Sequence, residues 1–412
     1  MVALFTDTSR SPSRAEGLTD PPGSLAIIGD PQDRRAALFA HAWRSAGGGP
    51  THIRSYEDVV RAGGAWLTDL DSRATLRIDS PGRSFAAMRT ILLAGLGAAA
   101  AEGSPVLSEK QIEELRQDPC RIAFTRQWYL GLVEILGRIR RSLRIASPPQ
   151  VTSDPSEILV LFDKRTCHSR LWTAGVTVPR SLPDVLGFDD LASKMRSAGL
   201  SRVFIKLAHG SAASGTVAFE TNGARHRAWT TVELVRDSNG LRLYNTRRLR
   251  RYTDPHMIRQ LIDSLAPHRI HVEQWLPKAT LHGYACDLRV LVIDGRAAHQ
   301  VLRLSQGPIT NLHLGNRRED ARLLKARMSP AAWEAVLATA EKAARCFPRC
   351  LHVALDLAVS TNFRCHAVLE ANAFGDLLDG STYSGLTPYE LQIRAIRQRL
   401  SPPSRPSHAQ CQ

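Results

Sequence analysis

The chain has 412 residues, of which 43% are hydrophobic, and this length is enough for two or three packed domains. No apolar run reaches the roughly 18 residues that a membrane span needs, and the N-terminus lacks the apolar core of a signal peptide. The seven cysteines are scattered without a CxxC pair, which is typical of reduced thiols. These features argue against a membrane protein and against a disulfide scaffold, and we expect a cytoplasmic protein.

The formal net charge is +15, and seven of the 54 basic residues are lysines. The basic residues form no block interleaved with aromatic rings, which argues against a platform for single-stranded nucleic acid. The surplus does suit anionic ligands such as nucleotides. Because arginine is the usual cation of this chain, a lysine at the end of a strand suggests a need for a compact point charge.

The first part of the chain predicts a small α/β domain over residues 23–150. Residues 1–22 and 401–412 are predicted to be disordered because they are rich in polar residues and proline. Strands and helices alternate between these limits, which predicts a partly parallel sheet. The first strand is not followed by a Gly-rich phosphate fingerprint, so dinucleotide binding is not predicted. The predicted strands are Ser24–Gly29, His52–Ser55 and Thr75–Ile78, and the predicted helices are Arg34–Ala46, Ala86–Ala101 and Arg121–Arg144.

A linker rich in Pro and Ser, Ser147–Pro155, is the predicted boundary to a second domain, residues 156–400. A strand, Ile158–Phe162, is predicted at its start, and a helix follows from Asp163 to Ala174. Further strands and helices alternate up to a final predicted helix at Pro388–Leu400.

Two lysines lie next to segments that suit an anion. Lys164 opens a helix, where a cation is unfavourable because the helix dipole is positive at that end. The position is favourable if the helix start and the ammonium group bind the same phosphate. Lys206 ends the strand Val203–Lys206, and small residues such as Ser211 and Gly215 in the loop after it let backbone N–H groups approach an anion. Each segment alone is also compatible with a simpler structure, an exposed helix start for Lys164 and a surface turn for Lys206.

The strand His271–Leu276 carries Glu273 and Gln274. Extended backbone beside a carboxylate or an amide can supply both the acceptor and the donor that an adenine ring needs. The alternative is an ordinary edge strand.

A predicted hairpin around Asp294 and Gly295 carries three charged residues among apolar neighbours. Asp287 and Arg289 lie two apart on one strand face, and Arg303 lies on the pairing strand. A buried arginine usually has an anionic partner because an unpaired buried charge is very costly. That partner is either Asp287 or a bound phosphate.

Residues 351–375 predict two strands joined by a turn. The first strand carries Asp356, and the second ends in Glu370 and Asn372, whose side chains point to the same face. If the strands pair, Asp356 lies beside them, and two carboxylates with an amide oxygen suit Mg²⁺. A hairpin with a merely polar edge is the alternative.

Taken in order, these residues resemble the ATP-grasp superfamily, in particular its glutamate-ligase-like members, over about residues 158–395. The resemblance implies an α+β fold in which two subdomains clamp ATP, preceded by a small Rossmann-like α/β domain. The lid would span about residues 165–275 and the metal-binding subdomain about residues 276–400. The implied activity is that of an ADP-forming carboxylate–amine ligase that uses ATP and Mg²⁺ or Mn²⁺, with a small-molecule or peptide carboxylate and a nucleophile as partners.

The resemblance also implies a role for each candidate residue. Lys164 and Lys206 would hold ATP phosphates, and Arg303 would stabilise the charge of the transferred phosphoryl group. The remaining contacts divide into a nucleotide set and a metal set. The nucleotide set is Ser211, Gly215, Glu273, Gln274, Leu276, Arg289 and Asn311, and the metal set is Asp356, Glu370 and Asn372.

Two departures from the family pattern affect the expected site. Leu207 follows the loop lysine where the family commonly has proline, and the chain continues after Asn372 with Ala373-Phe374-Gly375-Asp376 in place of Pro-Gly. Three other functions stay open: a small-molecule kinase on the same clamp, a nucleotide-binding module without chemistry, and a nucleic-acid binder that uses the basic charge.

Overall fold

A computed structural model describes residues 23–400, apart from positions 72, 119, 239, 312–313, 375–377 and 379. The predicted disorder of both termini, and Gly375 and Asp376, therefore lie outside the described residues. No helix in the described part of the chain is long and apolar enough to cross a membrane.

The N-terminal sheet is parallel at every pairing that the described residues make, where the sequence predicts only partly parallel strands. Its strands lie in the order β2-β1-β3-β5. The boundary predicted at Ser147–Pro155 is occupied by β5, which pairs with β3 and closes this sheet. The strands are β1 (Leu25–Ile28), β2 (Thr51–Arg54), β3 (Thr75–Ile78) and β5 (Gln150–Val151), and the helices are α1 (Arg34–Ser45), α2 (Tyr56–Ala62), α3 (Phe85–Ala101), α4 (Glu109–Glu113) and α5 (Thr125–Ser142).

The predicted helix Arg121–Arg144 is wrong at its start. Arg121–Ile122 form a short strand, β4, which pairs with Leu243 and Tyr244 in the next sheet. Phe124 takes a left-handed conformation, with φ of 52°, so the helix begins only at Thr125. The apolar spacing beyond that point is helical, as the sequence indicates.

Two glycines allow α3 and α5 to cross closely. A Cβ added to Gly131 would lie 1.7 Å from the carbonyl oxygen of Ile91, and one added to Gly95 would lie 2.0 Å from that of Gln127. The backbones of the two helices therefore touch at this crossing, and only glycine fits there.

We expect Gly131→Ala to lower the free energy of unfolding by about 2–3 kcal/mol because the helices must separate. Gly97 lies on α3 with no atom within 4 Å of its added Cβ. Gly97→Ala should therefore raise the stability by about 1 kcal/mol through helix propensity alone. Urea denaturation of both variants measures the two effects, and a destabilised Gly97→Ala protein together with an unaffected Gly131→Ala protein would contradict this packing.

The second sheet has the order β4-β10-β9-β8-β7-β11-β6. Helices α8 and α9 supply apolar residues to its core, including Leu191 and Ile262. After the small-residue loop the chain turns back, and β8 pairs antiparallel with β7. The elements are β6 (Ser181–Leu182), β7 (Arg202–Leu207), β8 (Val217–Thr221), β9 (His226–Asp237), β10 (Gly240–Tyr252), β11 (Ile270–Gln274), α8 (Phe188–Ser197) and α9 (Pro255–Leu265).

The predicted strand Ile158–Phe162 is wrong, because this segment belongs to helix α6 (Pro155–Phe162). Asp154 caps the helix by accepting a hydrogen bond from the Ser156 N–H, and Pro155 occupies the first turn, where its missing N–H costs nothing. A short apolar run is compatible with a buried helix as well as with a strand, so periodicity could not decide. Helix α7 (Lys164–Thr173) follows directly.

The third sheet has the order β15-β14-β13-β16-β17, with β12 pairing beside β13. Strands β13 and β14 form the predicted hairpin around Asp294 and Gly295, and β16 and β17 form the second predicted hairpin. The elements are β12 (Thr280–Leu281), β13 (Tyr284–Ile293), β14 (Arg296–Ser305), β15 (Arg317–Asp320), β16 (His352–Val359), β17 (His366–Asn372), α10 (Arg322–Lys325), α11 (Pro330–Arg345) and α12 (Pro388–Leu400).

A buried arginine joins the N-terminal sheet to helix α12. Arg77 of β3 donates from Nε to the Asp79 carboxylate at 2.9 Å and from Nη1 to the side-chain oxygen of Gln392 at 2.8 Å. His352, at the start of β16, is buried near these groups. Its burial, assisted by the positive charge of Arg77, lowers the pKa of His352 to about 3.

We expect His352 to make the protein less stable as the pH falls below 6.5. The folded state holds this imidazole neutral, whereas the unfolded chain binds a proton near its ordinary pKa of 6.5. Between pH 6.5 and pH 5 this difference should cost about 2 kcal/mol. Urea denaturation at the two pH values should show a smaller loss in His352→Gln than in the wild type, and an unchanged loss would contradict the burial. His41, which is exposed, provides the control substitution.

Candidate functional site

Lys164 lies at the start of α7, which the Asp163 carboxylate caps. Its ammonium group donates to the carbonyl oxygen of Gly210 at 2.6 Å and pairs with the Glu370 carboxylate at 2.9 Å. The residue therefore joins the helix start to the small-residue loop and to β17.

Lys206 lies near the end of β7 and reaches the same strand. Its Nζ is 2.5 Å from the Glu273 carboxylate and 3.4 Å from the carbonyl oxygen of Leu369. Burial alone would lower the pKa of Lys206, but the carboxylates of Glu273 and Glu370 raise it above its ordinary value. Burial would raise the pKa of Glu273, and Lys206 and His271 instead lower it to about 2.

The loop after β7 has an unusual backbone. Ala212 and Ala213 both have positive φ, 52° and 58°, and Gly215 has φ of 69°. The Thr231 hydroxyl donates to the carbonyl oxygen of Ala213 at 2.9 Å and holds this turn. Left-handed alanines cost free energy, so a loop that retains them is a candidate functional segment.

The side chain of Leu207 explains the glycines of the loop. A Cβ added to Gly215 would lie 2.5 Å from the Leu207 side chain, and one added to Gly210 would lie 3.0 Å from it. The loop is therefore packed against Leu207 from both ends, and a larger residue at Gly215 would displace it.

His209 is a structural link in this region that no sequence pattern indicated. Its Nε2 is 3.1 Å from the Asp163 carboxylate, and its ring stacks on Tyr129 with centroids 3.9 Å apart. Burial lowers the pKa of His209, and the pairing with His209 and Arg165 holds the pKa of Asp163 well below its usual range. The imidazole thus ties the loop to the start of α7, a contact that sequence spacing does not reveal.

The predicted adenine-contacting strand is β11 with the residues after it. The backbone N–H groups of Gln274 and Trp275 donate to the carbonyl oxygens of Arg180 and Arg202 at 2.7 and 3.2 Å. Within the described part of the chain, the N–H of Leu276 has no backbone acceptor. An adenine ring at this edge would therefore find a donor at Leu276.

Asp287, Arg289, Arg303 and Asp356 form one buried cluster on β13, β14 and β16. Arg303 Nε donates to Asp287 at 2.8 Å, and its Nη2 is 2.8 Å from Asp356. Arg289 Nε lies 2.5 Å from Asp356. Of the two partners considered for Arg303, Asp287 or a phosphate, the structure therefore shows Asp287. Burial would raise the pKa of Asp356, but the two guanidinium groups hold it below its ordinary value.

Strand register places the three predicted oxygen ligands on one face. Asp356 pairs directly with Glu370, and Ala354 pairs with Asn372, so all three side chains share a face of β16 and β17. The Asn372 amide N–H lies 3.5 Å from the carbonyl oxygen of Ala354. Asn311 lies in the loop after β14, beside Thr310, which hydrogen-bonds Asp287.

The two lysines and two of the carboxylates line one cavity. The cavity lies between α7, β7, β11 and β17, and its charged lining is Lys164, Lys206, Glu273 and Glu370, with His168 and His271 beside them. Neither histidine was singled out from the sequence. The other candidates lie outside this lining: Ser211, Gly215, Gln274, Leu276, Arg289, Arg303, Asn311, Asp356 and Asn372.

The donor set fits Mg²⁺, because two carboxylates and an amide oxygen project from one face beside cations suited to phosphate. Among the described residues no three His, Cys, Asp or Glu side chains form a metal-binding group.

No protein family and no curated protein matches this sequence. Solved structures match its fold at low identity. The ATP-grasp ligase PsnB, complexed with minimal precursor, Mg and ADP, has a TM-score of 0.50 and 14% identity over 91% of this chain and 97% of that chain. D-cycloserine synthetase DcsG has a TM-score of 0.51 and 14% identity over 92% and 100%. A Chryseobacterium gregarium RiPP-associated ATP-grasp ligase, with ADP and a leader and core peptide, has a TM-score of 0.51 and 11% identity over 92% and 98%.

The chain has the ATP-grasp fold, which confirms the prediction from its sequence. Its mixed architecture of helices and several sheets matches that of these structures. The division into two α+β subdomains after a smaller N-terminal domain at the predicted boundaries stays a prediction.

Proposed function

We propose that this protein is an ATP-dependent ligase that activates a substrate carboxylate as an acyl phosphate. An amine or a similar nucleophile then displaces phosphate from the acyl group, and ADP and phosphate are released. The main support is the convergence of Lys164 and Lys206 on β17, where both ammonium groups meet the segment that carries Glu370. Further support comes from the fold, since the similar structures reported above include ATP-grasp ligases.

ATP would occupy the cleft between the second and third sheets. Its adenine would contact the edge formed by Glu273, Gln274 and Leu276, and its phosphates would contact the two lysines and the loop that contains Ser211 and Gly215. Asp356, Glu370 and Asn372, with Asn311 nearby, would hold Mg²⁺. When bound, the ion neutralises charge on the phosphates and orients them for in-line transfer.

The resting ion pairs indicate how the site accepts these ligands. Each lysine is paired with a carboxylate, Lys164 with Glu370 and Lys206 with Glu273. The ATP phosphates would replace the carboxylates as partners of the two ammonium groups. The carboxylate of Glu370 would then become available to the metal ion. Binding of nucleotide and metal is therefore expected to be mutually favourable, since either alone leaves a charge without its partner.

The arginines supply the charge stabilisation that the transfer needs. Phosphoryl transfer requires positioning and neutralisation rather than a protein nucleophile. Arg303 and Arg289 lie on one sheet face with Asp356, where negative charge on the transferred phosphoryl group would develop. The carboxylate of the substrate would enter beside them, opposite the lysines.

The substrate is either a small-molecule or a peptide carboxylate. PsnB is complexed with a minimal precursor and the Chryseobacterium ligase with a leader and core peptide, whereas DcsG is a D-cycloserine synthetase. The likeness therefore supports the reaction type more strongly than either substrate class.

Hydroxylamine trapping tests this function. The purified chain is incubated with ATP, Mg²⁺, hydroxylamine and either a panel of small carboxylic acids or a set of acidic peptides, and hydroxamates, ADP and phosphate are measured. A ligase should give a hydroxamate and equal amounts of ADP and phosphate with at least one carboxylate. A stable phosphoester without free phosphate would indicate a kinase, and ATP binding without turnover in any panel would indicate a binding module.

A further inference from the structure

Lys278 is a third buried lysine beside the site, and nothing in the proposed function uses it. Its side chain is 8% exposed. The ammonium group donates to the Thr310 hydroxyl at 2.8 Å and to the Asp287 carboxylate at 3.3 Å. The Thr310 hydroxyl in turn donates to the same carboxylate oxygen of Asp287.

Asp287 connects this lysine to Arg303. One carboxylate oxygen of Asp287 contacts Lys278 and Thr310, and the other accepts from Arg303 Nε at 2.8 Å. Arg303 Nη2 is 2.8 Å from Asp356. Charges therefore alternate along Lys278, Asp287, Arg303 and Asp356.

This arrangement fixes the plane of the Arg303 guanidinium. Nε is held by Asp287 and Nη2 by Asp356. The direction of Nη1 follows from the other two contacts because the guanidinium group is planar. Any rotation of the Asp287 carboxylate would therefore change where Nη1 points.

We propose that Lys278 is a positioning residue for the reaction proposed above: with Thr310 it fixes the Asp287 carboxylate that orients Arg303 towards the transferred phosphoryl group. A lysine suits this position because its compact ammonium group reaches both Thr310 and Asp287, beside the ring of Phe204 with Nζ 6.0 Å from the ring centre. The inference rests on the proposed function, since it assigns Lys278 a role only if Arg303 meets that phosphoryl group.

The charges around Lys278 give the role a pH signature. Burial lowers the pKa of Lys278, Asp287 on β13 raises it, and Arg303 on β14 and Lys206 on β7 lower it, so that the net pKa is below the ordinary value. As the pH rises, Lys278 loses its proton earlier than an exposed lysine would. The ion pair between Lys278 and Asp287 is then lost and the Asp287 carboxylate is held less firmly, so turnover should decline on the alkaline side.

The test uses the full chain and compares Lys278→Met, Lys278→Arg and Thr310→Val, with the exposed Lys110→Met as the control. Lys278→Met should lower kcat by about 10- to 100-fold, while its Kd for MgADP, measured by calorimetry, stays within about twofold of the wild type. Thr310→Val should also lower kcat, as Lys278→Met does. Lys278→Arg should recover much of the activity and lose the alkaline decline, because a guanidinium group does not titrate there.

Three outcomes would overturn the inference. They are an unchanged kcat in both Lys278→Met and Thr310→Val, an equal loss of MgADP affinity and kcat in a folded Lys278→Met protein, and an unchanged alkaline decline in Lys278→Arg. Wild-type protein without any ATP turnover would instead count against the proposed function itself. The two failures are therefore distinguishable.

Discussion

Replacing Asp356 by asparagine is expected to lower ATP turnover by at least about 100-fold, because the site loses a negative charge that several groups share. The carboxylate is buried between Arg289 and Arg303 and is one of the three proposed metal ligands. Asparagine has nearly the same shape, so the change tests charge rather than volume. Release of ADP with saturating ATP and Mg²⁺ is the measurement.

The same substitution should lower the free energy of unfolding by about 3 kcal/mol, since two guanidinium groups lose a buried partner. The depressed pKa of Asp356 means that its stabilisation is present above its unfolded pKa and disappears as the pH falls below that value. The free energy of unfolding of the Asp356→Asn protein should therefore fall less than that of the wild type as the pH is lowered into the acid range. Asp320→Asn is the matched control, because Asp320 pairs with Arg322 at the surface. This substitution should change the free energy of unfolding by less than about 1 kcal/mol. Turnover within about threefold of the wild type would show that Asp356 is not part of the site.

Replacing Lys206 by methionine should abolish measurable MgATP binding and also destabilise the resting protein. The side chain of Glu273 is 2% exposed, and Lys206 is its closest cationic partner at 2.5 Å. Without the ammonium group the carboxylate stays buried, with His271 Nε2 as its remaining side-chain contact at 3.1 Å, at a cost of about 3–5 kcal/mol. Calorimetry and urea denaturation measure the two effects.

The double variant Lys206→Met/Glu273→Gln separates these two effects. Removing both charges should restore most of the stability, because no unpaired buried charge is left. Nucleotide binding should stay lost, since the phosphate-binding ammonium group is still absent. A double variant as unstable as Lys206→Met would mean that the lysine acts through packing, and retained MgATP binding in either variant would place the nucleotide elsewhere.

Local sequence patterns were sufficient for much of the fold. The alternation around β1, α1 and β2 predicted the first domain, and the hairpins β13–β14 and β16–β17 followed from their apolar runs and turns. The segment Pro155–Phe162 was the clearest error, because an apolar run of that length is compatible with both a strand and a buried helix. The cap at Asp154 with Pro155 was the local signal that could have corrected it.

Sequence patterns alone indicated most of the candidate charged and polar residues of the proposed site and their order along the chain, although not His168, His209, His271 or Lys278. They also determined that Glu370 and Asn372 share a face, since strand side chains alternate with a period of two. The tertiary structure decided which charges pair in the resting protein: Lys164 with Glu370, Lys206 with Glu273, and Asp356 with both arginines. It also brought His209 onto Tyr129 and Lys278 onto Asp287. Partner choice among buried charges depends on distances of a few ångströms between strands that are far apart in the chain, and no local pattern encodes those distances.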